Sequence, residues 1–295
     1  QQADMALREA KAQARSDVRE YHGELVAQVS TQMLIQSDMR KALRRGEFNV
    51  YYQPKVALRG GAITGFEALI RWQHPTRGHI SPVDFIHAAE ETGQIVEIGR
   101  WVLQAACYQF RLWLERKLVS GRIAVNISAR QFRESNIAAT VLTALEQSGL
   151  APQYLELEIT EGVLMSDPRA RDVIEELRNH GISIALDDFG TGYSSLSYLT
   201  RFPIDTLKID RCFVSEIAYE SEQAAIVTAV TSLSHRLNLK VIAEGVETVN
   251  ELQVITDLGC DEVQGYFICK PLPAAEIEQW LTWYTNDIRS TRSAT

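Results

Sequence analysis

From Phe48 onward, short runs rich in β-branched and aromatic residues recur along the chain, separated by stretches whose apolar positions fall at helical spacing. The runs predict strands at Phe48–Leu58, Ile63–Trp72, Ile123–Ser128, Leu155–Thr160, Ser183–Leu186, Thr206–Ile209, Lys240–Ala243 and Glu262–Ile268. The stretches between most of them predict helices over Val83–Arg116, Ile137–Ser148, Arg169–Asn179, Glu222–Leu237, Val249–Leu258 and Ala274–Tyr284. Strand–helix repetition implies a mostly parallel sheet. The first two runs are the exception, because only Arg59, Gly60, Gly61 and Ala62 join them. That length suits a hairpin and is too short for a parallel crossover. Eight strands with one antiparallel pair predict a closed α/β barrel whose first strand is inverted. An open doubly wound sheet is the alternative.

The first forty-five residues differ. Ala, Arg, Lys and Glu dominate from Ala3 to Arg19, and Leu25, Val26, Val29, Met33 and Leu34 then recur at helical spacing. Gly46 follows Leu43, Arg44 and Arg45 as a helix stop. Residues 1–45 read as a helical linker, 46–288 as the barrel and 289–295 as a tail. The abrupt start, in mid-helix, is expected of a fragment of something longer.

At 295 residues, 45% hydrophobic and 23% charged, the chain can bury a large core, which excludes disorder, a collagen-like fold and a coiled-coil rod. A net charge of −8 disfavours tracking of a polymeric phosphate backbone. A small phosphorylated substrate stays open if metal ions or local cations offset the field. Cys107, Cys212, Cys260 and Cys269 form no CxxC pair and read as reduced, mostly packed thiols of a cytosolic protein. No run approaches the roughly 20 apolar residues of a membrane span, and no signal peptide is recognisable.

Chemistry gathers at the ends of the strands. Reading each run to its C-terminal end gives Glu67, Asn126, Glu158, the pair Asp187 and Asp188, Lys208, Glu244 and Gln264. In a parallel barrel these ends converge on one mouth, where catalytic groups sit. Five carboxylates and two carboxamides are hard oxygen donors suited to Mg²⁺ or Mn²⁺ rather than zinc. Without cations the carboxylates would repel one another strongly. Two adjacent aspartates make a metal pair plausible, and paired metals serve phosphoester hydrolysis. Lys208 adds one positive charge for a phosphate or the attacking water. The segment Phe189-Gly190-Thr191-Gly192-Tyr193-Ser194-Ser195 reads either as a tight turn with a helix cap or as a mobile flap.

These residues resemble the EAL family of bacterial cyclic di-GMP phosphodiesterases. The resemblance rests on Glu67-Ala68-Leu69 with Arg71-Trp72, Asn126-Ile127-Ser128, Glu158-Ile159-Thr160-Glu161, Asp187-Asp188-Phe189-Gly190-Thr191-Gly192, Lys208-Ile209-Asp210, Glu244-Gly245-Val246-Glu247 and Gln264-Gly265-Tyr266, in family order from about Arg40 to Tyr284. It implies a modified TIM (β/α)8 barrel with an antiparallel first strand, and Mg²⁺- or Mn²⁺-dependent hydrolysis of cyclic di-GMP to linear pGpG. Position by position, it implies that Glu67, Asn126, Glu158 and Asp187 hold one ion. Asp187, Asp188 and Glu244 would hold the second, with Ca²⁺ expected to inhibit. Glu244 would also assist the water, Lys208 would orient it or stabilise developing charge, and Gln264 would complete the shell. Glu161 would pin the glycine loop, while Gln53 and Arg71 would contact the dinucleotide. The mechanism implied is in-line attack on one phosphorus, with the ribose 3′ oxygen leaving.

Residues 3–21 further resemble the closing helix of a GGDEF diguanylate cyclase domain, so an adjoining GGDEF domain is expected in the full-length protein. A homodimer through the Asp188–Ser195 region is expected as well. No nucleic-acid polymer or membrane contact is expected of this fragment, although its cytoplasmic parent could be membrane-anchored. Two other functions compete: a cyclic di-GMP receptor that binds without cutting, and an unrelated metal-dependent barrel enzyme. A receptor would be favoured by missing ligands, and none is missing. His74, His79 and His87 read as packing or surface residues. Trp101 and Trp113 read as helix residues packed on the barrel, and Met33 and Met39 as linker contacts.

Overall fold

A computed structural model describes residues 36–292, apart from residue 135 and residues 191–196. The expected linker over 1–35, with Met33, and most of the glycine loop lie outside the described residues. The described residues fall into two compact units.

The first unit takes in residues 36–48 and Trp72–Gln94. Residues 36–42 are helical, residues 43–46 turn, and Gly46 takes a left-handed φ of 66° that ends the turn. The unit closes on an aromatic core in which the Phe48 ring lies 5.3 Å from Trp72 and 5.7 Å from Phe85. The buried indole of Trp72 donates to Glu47 Oε2 at 3.0 Å, and Met39 and Ala42 are buried with it. His74 is buried and accepts the backbone N–H groups of Thr76 and Arg77. That is a turn-forming role.

The second unit holds the barrel. Its ring runs β1 (Phe48–Ala57), β9 (Glu262–Val263), β8 (Lys240–Ala243), β7 (Thr206–Ile209), β6 (Ser183–Phe189), β5 (Leu155–Thr160), β4 (Arg122–Ile127) and β2 (Ile63–His74), and β1 closes it by pairing with β2. Strand β1 is antiparallel to β9, whereas β2, β4, β5, β6, β7, β8 and β9 pair in parallel. The inverted first strand follows from the short hairpin, five residues between Ala57 and Ile63, in which Ala57 N–H donates to Ala62 O at 2.8 Å. In the second unit β10 (Leu272–Pro273) pairs with β1, and within the first unit β3 (Gly78–Ile80) pairs with Trp72–His74.

Three expected elements are corrected. The single helix expected over Val83–Arg116 is two, Pro82–Thr92 and Ile95–Glu115, divided where Gly93 adopts φ 82° and its N–H caps Glu90 O. The strand expected over Glu262–Ile268 is paired only at Glu262–Val263, after which the backbone turns and Ile268 N–H bonds Gly265 O. The strand expected to end at Leu186 runs on through both aspartates to Phe189. Helices pack outside the ring. On the longest, Trp113 is fully buried, 4.8 Å from the Tyr52 ring and 5.5 Å from Phe66. Thr248 and Glu251 form a reciprocal capping box at the start of Val249–Asp257. Cys107, Cys260 and Cys269 are buried, Cys212 is exposed and all four thiols are free. Among the described residues no helix is long and apolar enough to cross a membrane.

Candidate active site

On a regular strand neighbouring side chains point to opposite faces, so Asp187 and Asp188 could not both serve one mouth. The backbone resolves the conflict. Leu186 pairs with Leu207 and Phe189 with Ile209, which leaves Asp187 and Asp188 together opposite Lys208 alone. Asp188 carries the extra residue at φ 54°, a left-handed conformation that a short polar side chain tolerates better than most. Its N–H donates to Asp187 Oδ1 at 3.0 Å, and both carboxylates line one cleft of about 320 Å³.

The same cleft is lined by Gln53 and Glu67 from β1 and β2, Lys208 from β7, and Glu244 and Gln264 just past β8 and β9. Lys208 is its electrostatic centre. The ammonium lies 2.6 Å from Glu244 Oε1, 2.8 Å from Glu158 Oε2, 3.0 Å from Asp187 Oδ1 and 3.9 Å from Glu67 Oε2, and the side chain is 1% exposed. Burial opposes its charge, but Asp187, Glu158, Glu244 and Glu67 outweigh burial and hold the ammonium well above the ordinary lysine pKa. The carboxylates respond unequally. Glu244 is pushed up to about 8 by burial and by Asp187 and Glu67, against the pull of Lys208. Burial and Glu67 push Glu158 up, and burial and Asp187 push Asp188 up. Glu67 is drawn below the usual range despite its burial, because Lys208, Gln264 and Asn126 stabilise its charge.

A chain of amides orders the opposite wall. Gln53 donates to Cys269 O at 3.0 Å and accepts from Gln264 Nε2 at 3.0 Å, and Gln264 Nε2 also donates to Glu67 Oε2 at 2.5 Å. Asn126 Nδ2 donates to the other oxygen of Glu67 at 2.6 Å. Glu161 stands outside the cleft and accepts the Gly190 N–H at 3.2 Å. Arg71 is partly buried over the Tyr51 ring, 5.7 Å from its centroid, and also stands off the cleft lining.

Of the residues expected from the strand ends, Glu67, Asp187, Asp188, Lys208, Glu244 and Gln264 line the cleft, while Glu158 and Asn126 stand behind it, joined to Lys208 and Glu67. Reading the ends alone misses Arg211 and Glu247, which line the cleft and pair at 2.9 Å, as well as Tyr266. It also misses Lys55 and Glu156, buried one level below, although each stands two residues from an expected site residue and so shares its face.

Whether this mouth suits divalent cations can be judged from its donors. It presents five carboxylates, four of them around one ammonium, and burial together with neighbouring carboxylates drives Glu244, Glu158 and Asp188 toward protonation. Gln264 Oε1 is buried with no hydrogen-bond partner. Such surplus negative charge and a spare amide oxygen fit hard cations. Among the described residues, no three acidic, histidine or cysteine side chains already form a ready-made ligand set, and several carboxylates instead face Lys208.

Residues 36–271 match the EAL domain family. The chain is 45% identical over 276 residues to the bifunctional diguanylate cyclase/cyclic di-GMP phosphodiesterase MucR of Pseudomonas aeruginosa, covering 93% of this chain and 40% of that protein. It is 40% identical over 283 residues to the cyclic di-GMP phosphodiesterase PdeR of Escherichia coli, covering 96% of this chain and 42% of that protein. The chain thus spans less than half the length of these two relatives. Among solved structures, the PaMucR phosphodiesterase in complex with c-di-GMP superposes with a TM-score of 0.79 at 46% identity, over 83% of this chain and 99% of that one.

Proposed function

The chain belongs to the EAL domain family, and from that membership we propose that it hydrolyses cyclic di-GMP to linear pGpG. The observation that carries the reading is the convergence of Glu67, Glu158, Asp187 and Glu244 on Lys208, with Asp188 lining the same cleft, in a chain with relatives named as cyclic di-GMP phosphodiesterases.

In this proposal Glu67, Asn126, Glu158 and Asp187 hold one divalent cation and Asp187, Asp188 and Glu244 a second, with Gln264 completing the shell and Mg²⁺ or Mn²⁺ as the working ions. Bound cations neutralise the acidic mouth and make a water molecule more acidic. Glu244 takes the proton of the attacking water. Lys208, held charged by its carboxylate neighbours, orients that water and offsets charge developing on the phosphoryl group. The water oxygen bonds to phosphorus in line with the ribose 3′ oxygen, whose bond to phosphorus breaks, and a proton returns to that oxygen. Gln53 and Arg71 contact the dinucleotide. Glu161, through Gly190, holds the backbone that carries the aspartate pair.

The cytoplasmic setting, a homodimer and an adjoining GGDEF domain belong to the same proposal. MucR, by its name, combines cyclase and phosphodiesterase activities in one chain, which supports the last of these. The test is incubation of the purified chain with cyclic di-GMP and Mg²⁺, followed by chromatography. Appearance of pGpG supports the enzyme; tight binding without pGpG would identify a receptor instead.

A further inference from the structure

Beneath the mouth lies a second level of charge that the proposed chemistry does not use. Lys55 is 2% exposed and Glu156 4% exposed, both inside the barrel. Their side chains form a direct ion pair. Glu156 also accepts from Thr206 Oγ1 at 3.2 Å and from Ser183 Oγ at 3.3 Å. Strands β1, β5, β6 and β7 thus each send one polar side chain into this level. Lys55 reaches upward as well, to Glu158 Oε1 at 3.5 Å, while the other oxygen of Glu158 meets Lys208 at 2.8 Å. Glu158 is therefore held between two lysines, one oxygen turned down and one turned up.

A buried ion pair is a poor device for stability, since apolar side chains of similar volume often do as well or better. Stability alone therefore does not explain why the barrel interior carries this pair. Its geometry gives another reason. We propose that Lys55 is a positioning residue: anchored by Glu156, it fixes the lower oxygen of Glu158 so that the upper oxygen is presented to the cation at the mouth. This inference rests on the reading of Glu158 as a metal ligand. Partners of metal ligands that act in this way typically contribute about 10–100-fold to metal affinity.

The experiment uses the whole chain, Mn²⁺ as the probe and two variants, Lys55→Met and Lys55→Met/Glu156→Gln. Calorimetry reads Mn²⁺ affinity and denaturant unfolding of the metal-free chain reads stability. The single variant strands the Glu156 charge and is expected to lose stability or fail to fold. The double variant removes both charges and is expected to recover stability while its Mn²⁺ affinity stays about 10–100-fold below that of the parent. Parental affinity in the double variant overturns the inference, because the pair would then be structural only. A parent chain that binds no Mn²⁺ overturns the metal reading itself and the inference with it.

Discussion

The N–H of Gly190 donates to Oε1 of Glu161 at 3.2 Å, tying the end of β6 to the first turn of the helix that follows β5. Gly190 takes φ 98°, and a β-carbon there would come within 2.4 Å of the Phe213 ring. The position is thus reserved for glycine. The tie acts two residues beyond Asp188, just past Phe189.

Glu161→Ala is accordingly expected to lower turnover by about 10–100-fold, in the range found for partners that orient ligands, with the barrel still folded. Steady-state rates beside circular dichroism check it. Normal hydrolysis and normal metal affinity in the variant would show that this contact does not hold the aspartate pair.

Lys208→Ala tests charge rather than position. Removing an electrostatic stabiliser commonly costs about 10²–10³ in rate, so kcat at saturating Mg²⁺ should fall in that range while metal binding persists. In the metal-free chain the loss leaves buried carboxylates without their cation, which typically destabilises by about 3–5 kcal/mol. A rate loss under tenfold, against that expectation, would reduce Lys208 to an ion-pair partner.

Gly265 supports the site through the backbone. A β-carbon there would lie 2.1 Å from Val246 O and 2.4 Å from Val246 N, in the segment where Val246 N–H bonds Gln264 O and Phe267 N–H bonds Val246 O. Gly265→Ala must spread these segments, at a cost of about 1–3 kcal/mol as in other overpacked sites. Because Gln264 and Glu244 sit on the two segments, activity is expected to fall with stability. Urea unfolding and pGpG release measure the two effects, and a variant unchanged in both would contradict the contact.

The choice of cation separates binding from chemistry. Ca²⁺ accepts a looser oxygen shell, at about 2.3–2.6 Å, than the near-octahedral shell of Mg²⁺ at about 2.0–2.1 Å. It should neutralise the mouth and admit the dinucleotide but make water less acidic. Ca²⁺ is therefore expected to support cyclic di-GMP binding without hydrolysis, and Mg²⁺ or Mn²⁺ to support both. Calorimetry in Ca²⁺ beside pGpG formation in each ion decides it; full turnover in Ca²⁺, or after exhaustive chelation, would refute the metal proposal.

The barrel and most of its mouth are legible in the sequence because strand ends are marked locally. A run of β-formers that carries Glu158 or Lys208 within two residues of its end announces both an element and the polar residue near that end. What is not marked locally is less legible. One glycine costs a helix only about 1 kcal/mol relative to alanine, so Gly93 does not reveal that the apolar periodicity spans two helices. Strand pairing depends on a partner, so nothing in Gln264–Ile268 tells that β9 ends at Val263. Lys55 looks like an ordinary charged residue until its neighbours across the ring, Glu156 and Glu158, are in place.

The irregularity in β6 has a consequence for what kinds of genetic change can disarm such a mouth. An evenly alternating strand has room at that height for one inward acid; here the second exists because the backbone is one residue longer than its partner. Deleting Asp188 would straighten the strand, leaving Leu186 and Phe189 opposite Leu207 and Ile209 with a single acid between them. Asp188→Asn would keep the detour and discard its charge. Deletion and substitution at one codon are thus different lesions, the first of length and the second of charge.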